Sequence, residues 1–189
     1  AGVPVIYAND NYGQWRSDFR TTLDNAIRPE MPGREIAMLL APDDDDYFVL
    51  KPKYSAFFGS TLELLLSYLG AERLVLAGFA SNICVQFTAQ DAFLRDFELV
   101  IASDGVASED PRSNRAALAF MRDQLGAKVS LASATVEQLD ELPGIGPVTA
   151  EKIIDWRTTH GPFRSVDDLD DVPGIGPARI EQLRDLVTP

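Results

Sequence analysis

The hexapeptide Leu142-Pro143-Gly144-Ile145-Gly146-Pro147 returns thirty residues later as Val172-Pro173-Gly174-Ile175-Gly176-Pro177. A repeat flanked both times by helical periodicity restricts the C-terminal part of the chain to two copies of one helix–turn–helix unit. The glycine pair in each copy lets the backbone turn tightly and leaves N–H groups at the start of the second helix. Two readings are open: a phosphate site, or a packing unit that holds no ligand.

Upstream of about Leu131 the pattern changes. Strand-like apolar runs at Val3 to Ala8, Tyr47 to Leu50, Arg73 to Ala77, Glu98 to Ala102 and Lys128 to Leu131 alternate with helical patterns. The helices are expected over Ile36 to Leu40, over Leu62 to Leu69 with Ser60 as N-cap, and over 85–96 and 112–125. Residues 14–34 read as a long loop with a short helix in it, and loops of that length are often lids or pocket walls. Asn9 to Gly13 is expected as a polar turn, and the acidic run Asp43 to Asp46 as a solvated turn. The alternation predicts an α/β fold: a three-layer parallel sheet over residues 1–131, followed by a small all-α domain over 132–189. Its crevice should lie beyond the C-terminal ends of the strands.

Composition narrows the class. A 46% hydrophobic content is enough to bury a core, and the net charge of −12 argues against a broad electrostatic grip on nucleic acid or an anionic membrane. No apolar run approaches membrane-spanning length and no basic, apolar leader opens the chain, so a soluble, cytoplasmic protein with no membrane partner is expected. The single cysteine suits a reducing compartment. The chain opens on Ala1 within what reads as a helix–strand loop, which suggests a segment upstream.

That cysteine, Cys84, sits in Gly78-Phe79-Ala80-Ser81-Asn82-Ile83-Cys84-Val85, between a buried-strand run and a helical pattern. A strand feeding a small-residue turn into a helix is where α/β enzymes present a nucleophile, because the helix start offers N–H groups and partial positive charge. The plainer reading is a buried small hydrophobe. Asp10 and its neighbours, Lys51 and Cys84 are placed on one rim. A lysine near a thiol favours the thiolate, and the turn can aim N–H groups at an oxyanion. The only histidine, His160, lies far along the chain, so a carboxylate must take the proton.

Three segments agree in order and spacing with one family: Val49-Leu50-Lys51-Pro52-Lys53-Tyr54-Ser55-Ala56-Phe57, the Gly78 to Val85 stretch, and Ser103-Asp104-Gly105-Val106-Ala107-Ser108. Together they resemble the isochorismatase-like cysteine hydrolases, of Rossmann-like fold. The resemblance implies hydrolysis of a C–N bond in a small amide through an Asp–Lys–Cys triad. By it Cys84 is the nucleophile and Lys51 the catalytic lysine, ahead of Lys53. A non-proline cis peptide is implied at Phe79–Ala80, turning the N–H groups of Ala80 and Cys84 toward an oxyanion. Asp10, Asn11, Tyr12, Trp15 and Phe57 are expected to line the pocket. No cofactor is implied, and no metal: nicotinamidases of the family use an Asp/His cluster after the second strand, and Asn9 to Trp15 has no histidine.

One departure carries weight. The family's catalytic Asp ends a first strand that, with the helix after it, has no counterpart in these residues, and Asp10 is not its replacement. In the family's strand order, 3-2-1-4-5-6, that strand lies between those matched by 3–8 and 73–77. Its omission leaves two facing edges unpaired across a gap one strand wide, about 5 Å per neighbour spacing. A homo-oligomer or an N-terminal segment completing the sheet is therefore expected as partner, the alternative being a rearranged sheet.

The tail resembles the tandem helix-hairpin-helix domain of competence DNA-receptor (ComEA-type) proteins. Beside the doubled hexapeptide, Ala134 to Leu139, Ile154 to Arg157 and Gly161 to Leu169 carry the likeness. The resemblance implies sequence-independent binding of duplex DNA, with backbone N–H groups of Gly144, Ile145, Gly146, Gly174, Ile175 and Gly176 on phosphates. Residues 131–189 hold five Lys/Arg against eleven Asp/Glu, 5 − 11 = −6, so weak, salt-sensitive affinity is expected. Lys128 to Ala134 reads both as the last sheet strand and as the lead into the hairpins, with no Gly/Ser linker. Neither family ordinarily carries the other, so the fusion is read as a recombination, natural or engineered. An α/β part serving only as a scaffold for DNA binding is the alternative reading.

Overall fold

The computed structural model describes residues 3–11 and 19–189, without side-chain detail at 19, 20, 22 and 23. The chain divides into two compact units, Ala1–Gly70 and Ala71–Pro189.

In the first unit, β1 (Ile6–Asp10) and β2 (Tyr47–Lys51) pair in parallel, from Ile6 opposite Tyr47 to Asp10 opposite Lys51. The strand thus runs through Asn9 and Asp10, where the sequence predicts a polar turn. Polar residues at the C-terminal end of a parallel strand keep the ladder because backbone groups, not side chains, make it. Two helices, α1 (Phe19–Ala26) and α2 (Arg34–Leu39), lie between the strands. The 43–46 turn closes on itself, Asp43 N–H donating to Asp46 Oδ2 at 2.8 Å. Helix α3 (Leu62–Leu69) buries Leu62 and Leu66, spaced four apart, and ends at Gly70 in the left-handed conformation, φ 63°. Thr61 is its N-cap residue, but the hydroxyl of Ser60 accepts the Leu62 N–H at 3.1 Å, so the expected capping side chain acts from one position earlier.

The second unit holds a four-stranded parallel sheet in the order β3-β4-β5-β6: β3 (Arg73–Phe79), β4 (Glu98–Ala107), β5 (Lys128–Ser130) and β6 (Val187–Thr188). Leu99, Val100 and Ile101 are consecutive and all buried, as in a strand covered on both faces. The β3–β4 register shifts between Leu76 and Gly78, beside Gly105, where a Cβ would lie 3.3 Å from Ala102 Cβ and 3.4 Å from Ala77 Cβ. A π-helical turn (Ser81–Val85) leads into α4 (Gln86–Phe93), and α5 (Pro111–Leu125) joins β4 to β5. Helix α5 starts with Asp110 accepting from Ser113 N–H and with Pro111 in its first turn.

Residues 131–186 form the crossover between parallel β5 and β6. They contain α6 (Val136–Asp140), α7 (Pro147–His160), a 3₁₀ turn (Val166–Asp171) and α8 (Pro177–Leu183). Their core is built on the thirty-residue repeat: Leu139, Leu142, Ile145, Ala150 and Ile153 are buried with Leu169, Val172, Ile175, Ile180 and Leu183. The caps repeat as well, Thr135 with Gln138 and Ser165 with Asp168. The copies differ in two ways: the second opens with a 3₁₀ turn where helical periodicity is expected, and its closing helix has 7 residues against 14. Val187 joins this core at 1% exposure, so the last strand belongs to sheet and hairpins alike. A strand of two residues leaves no alternation in the sequence to mark it.

Candidate active site and hairpin turns

Two chemically distinct clusters and one doubled turn carry the residues singled out from sequence. In the first unit Lys51 ends β2 at 3% exposure, and its Nζ lies 2.6 Å from Asp10 Oδ1 on the adjacent strand end. Register produces the pair: Asp10 and Lys51 are opposite one another in the β1–β2 ladder. Lys51 also donates to the Lys53 carbonyl at 3.2 Å. Asn11, 5% exposed, follows β1 and donates its N–H to the Lys51 carbonyl at 3.0 Å. Phe57 is buried at 6%, its N–H on Ser55 Oγ. Tyr12 and Trp15 lie outside the described residues.

In the second unit the peptide bond Phe79–Ala80 is cis, at the position the family resemblance implies. It is followed by the π-helical turn that holds Cys84, half-buried, one residue before the turn ends. The Ala80 carbonyl accepts from both Ile83 N–H and Val85 N–H at 3.2 Å, and Thr88 Oγ1 donates to the Cys84 carbonyl at 2.7 Å. Strand, turn and helix thus succeed one another as expected, and the turn is a π-helical one. Periodicity gives no signal for one residue inserted into a helical turn.

Beneath that turn Ser81, fully buried, contacts Ser108 Oγ at 2.5 Å and Asn114 Oδ1 at 2.6 Å. Ser108 Oγ also reaches Asn82 Oδ1 at 2.9 Å. Ser81, Asn82 and Ser108 lay inside motifs quoted above, yet nothing in the sequence joins them across 26 or more residues. Elsewhere on this sheet Glu98 of β4 bridges Arg73 of β3 (3.0 Å) and Lys128 of β5 (2.7 Å). Hydrogen bonds from Lys128 and then Arg73 hold its carboxyl below the usual range. Among the described residues no three His, Cys, Asp or Glu side chains gather to hold a metal ion.

In the hairpin region Gly144 (φ 74°) and Gly174 (φ 101°) take the left-handed conformation the tight turns require. The N–H groups of Ile145 and Ile175 donate inside the turns, to Leu142 and Val172 carbonyls at 3.1 and 3.0 Å, and both side chains are core. Among the described residues the N–H groups of Gly144, Gly146, Gly174 and Gly176 make no backbone hydrogen bond. Cations from each copy gather at the turns: Arg179 Nη1 donates to Gly174 O at 2.7 Å with its Nε against Gly144, and Lys152 Nζ donates to Pro173 O at 3.2 Å. The other cations differ in use. Arg184 pairs with Asp167 and Glu181, and Arg157 donates to Leu131 O at 2.6 Å, where burial pulls its guanidinium below the usual range.

The isochorismatase domain model matches residues 1–134. The chain belongs to the isochorismatase family. A helix-hairpin-helix motif matches residues 125–188, overlapping the first match over the segment that contains β5. An uncharacterized isochorismatase family protein of Bacillus subtilis, YaaI, is 36% identical over 135 residues, covering 71% of this chain and 74% of that protein. Ureidoacrylate amidohydrolase RutB of Stutzerimonas stutzeri is 30% identical over 127 residues, 62% of this chain; the chain spans about half of that relative, 51%. Among solved structures the nicotinamidase PncA from Bacillus subtilis is similar at 29% identity with a TM-score of 0.51, over 68% of this chain and 75% of that one. The family's parallel-sheet fold is therefore present, with a helical hairpin region. Among the described residues no helix is long and apolar enough to cross a membrane.

Proposed function

We infer that this chain is built to hydrolyse a C–N bond in a small amide, with Cys84 as nucleophile and Lys51 as catalytic lysine, and that residues 132–189 bind duplex DNA without sequence preference. The hydrolase part is assigned to residues 1–131. The observation that carries the reading is the strand–turn–helix, β3 through the π-helical turn to α4, that holds Cys84 at its turn. The chemistry runs in two halves. The Cys84 thiol gives its proton to a carboxylate and its sulfur adds to the amide carbonyl. The oxyanion is met by N–H groups of Ala80 and Cys84, and the C–N bond breaks as the amine takes that same proton back from the carboxylate. Water then cleaves the thioester, giving the acid and restoring the thiol. The family's catalytic Asp has no counterpart in these 189 residues, so turnover by them alone is expected to be low.

Alkylation is the direct test. Iodoacetamide should modify Cys84 faster at neutral pH than it does a free thiol; an equal rate refutes the nucleophile. Ammonia release from ureidoacrylate, and from nicotinamide as the disfavoured case, then reads substrate class. The glycine N–H groups free of backbone bonds support the DNA reading, as do Lys152 and Arg179 beside them. Duplex binding at low salt tests it. β3 pairs only with β4 among the described residues, and we assign its open edge to a second copy or to chain outside these residues. Sedimentation velocity separates those two.

A further inference from the structure

The nucleophile turn is held by side chains that no step of the proposed hydrolysis uses. Ser81 is fully buried at the turn's first residue and touches two partners from elsewhere in the unit: Ser108, just past β4, at 2.5 Å, and Asn114, in the first turn of α5, at 2.6 Å. Ser108 in turn reaches Asn82 at 2.9 Å. The four side chains form one row, Asn114, Ser81, Ser108, Asn82, which begins on α5 and ends on the turn.

Proton counting makes the row a single unit. It has three contacts, and the two hydroxyls bring one proton each. An asparagine amide exchanges oxygen and nitrogen by a half-turn of its side chain, so three hydrogen bonds form when one of the two amides donates through Nδ2. Each serine then gives one bond and accepts another, all pointing the same way along the row. A buried hydroxyl that loses its partner keeps its desolvation cost, so the loss of Ser108 leaves Ser81 under-satisfied at the turn's root.

We propose that Ser81, Ser108 and Asn114 are positioning residues for Cys84: the row fixes Ser81 and Asn82, and through them the π-helical turn that sets where the thiol lies. This rests on the nucleophile reading for its consequence, but the geometry can be tested without it. Two variants remove different members, Ser108→Ala and Asn114→Ala, while Ser108→Thr keeps the hydroxyl. Hydrogen exchange at the Ile83 and Val85 amides, which close the turn on the Ala80 carbonyl, reads the turn itself. Protection should fall about tenfold in both alanine variants and return in Ser108→Thr, the scale of one lost buried hydrogen bond. The rate–pH profile of Cys84 alkylation should also shift in the alanine variants and recover with threonine, a readout that general loosening elsewhere would not move. Unchanged exchange and an unchanged profile in Ser108→Ala overturn the proposal. If exchange responds as expected while wild-type Cys84 alkylates like a free thiol, the positioning row stands and the nucleophile reading fails.

Discussion

Asp10 Oδ1 lies 2.6 Å from Lys51 Nζ, and the two ends of this pair are in different surroundings: the lysine side chain is 4% exposed and the carboxylate 33%. Removing one partner therefore does not cost what removing the other costs. Asp10→Asn takes the Asp10 carboxylate away from a buried ammonium, for which about 2–3 kcal/mol of lost stability is expected. Lys51→Met fills the same space without charge and leaves Asp10 reachable by water, so about 1 kcal/mol or less is expected. Urea unfolding of both variants checks the order. A Lys51→Met variant that is the less stable of the two would show that the ammonium is well solvated by other groups. Lys51→Met should also abolish amide hydrolysis.

Glu98 ties three strands together, with Arg73 on β3 and Lys128 on β5. Its carboxyl is held below the ordinary 4.5, first by the hydrogen bond from Lys128. A depressed carboxyl contributes stability above its unfolded value, and that contribution is lost as pH falls through the folded one. The window thus lies below 4.5. The group is 36% exposed, so solvent screening limits the effect to less than about 1 kcal/mol. Glu98→Gln should lower stability slightly at pH 7 and flatten the acid limb; urea midpoints at pH 7 and at acid pH measure both.

The hairpin glycines separate binding from folding. Gly146 and Gly176 have extended backbone, φ −106° and −127°, and an added Cβ at either meets nothing within 4 Å. Gly146→Ala and Gly176→Ala should therefore change the melting temperature little. The added methyl stands beside the N–H groups assigned to phosphate, and fluorescence polarisation with labelled duplex at low salt should show binding weakened about tenfold or more. Gly144→Ala is the contrast, since φ 74° and Arg179 Nε at 3.1 Å make it costly to fold. With Lys152 and Arg179 as the cations at the turns, the log–log salt slope should be about −2.

The division between what these residues announce and what they conceal follows the range of the interactions. The strand–helix alternation and the thirty-residue repeat are local patterns, and the repeat predicts the hairpin core pair by pair, from Leu139 with Leu169 to Ile153 with Leu183. Cys84, Lys51 and the cis bond at Phe79–Ala80 were marked by motif. The Asp10–Lys51 pair was not, because it depends on the β1–β2 register, and register appears in no single segment. The Ser81–Ser108–Asn114 row likewise joins residues that are neighbours only after β4 and α5 have packed. β6 is two residues long and lies in Leu186-Val187-Thr188-Pro189, too short for alternation to mark.

That last strand tests whether sheet and hairpins unfold together. Val187 pairs with Val129 of β5, Leu131 N–H donates to Thr188 O at 2.7 Å, and the Val187 side chain is packed in the hairpin core at 1% exposure. Truncating it removes about two methylene equivalents from a site held by backbone on one side and by the repeat core on the other. Val187→Ala should therefore cost about 2 kcal/mol. Because the residue belongs to both substructures, the loss should shift one cooperative transition seen alike by far-ultraviolet dichroism and by tryptophan fluorescence. If the two probes separate, with the hairpins melting first, then the β5–β6 ladder is a contact between independently folding parts. If they move together, residues 131–186 fold as the crossover of the same sheet whose β3 edge leads into the turn that holds Cys84.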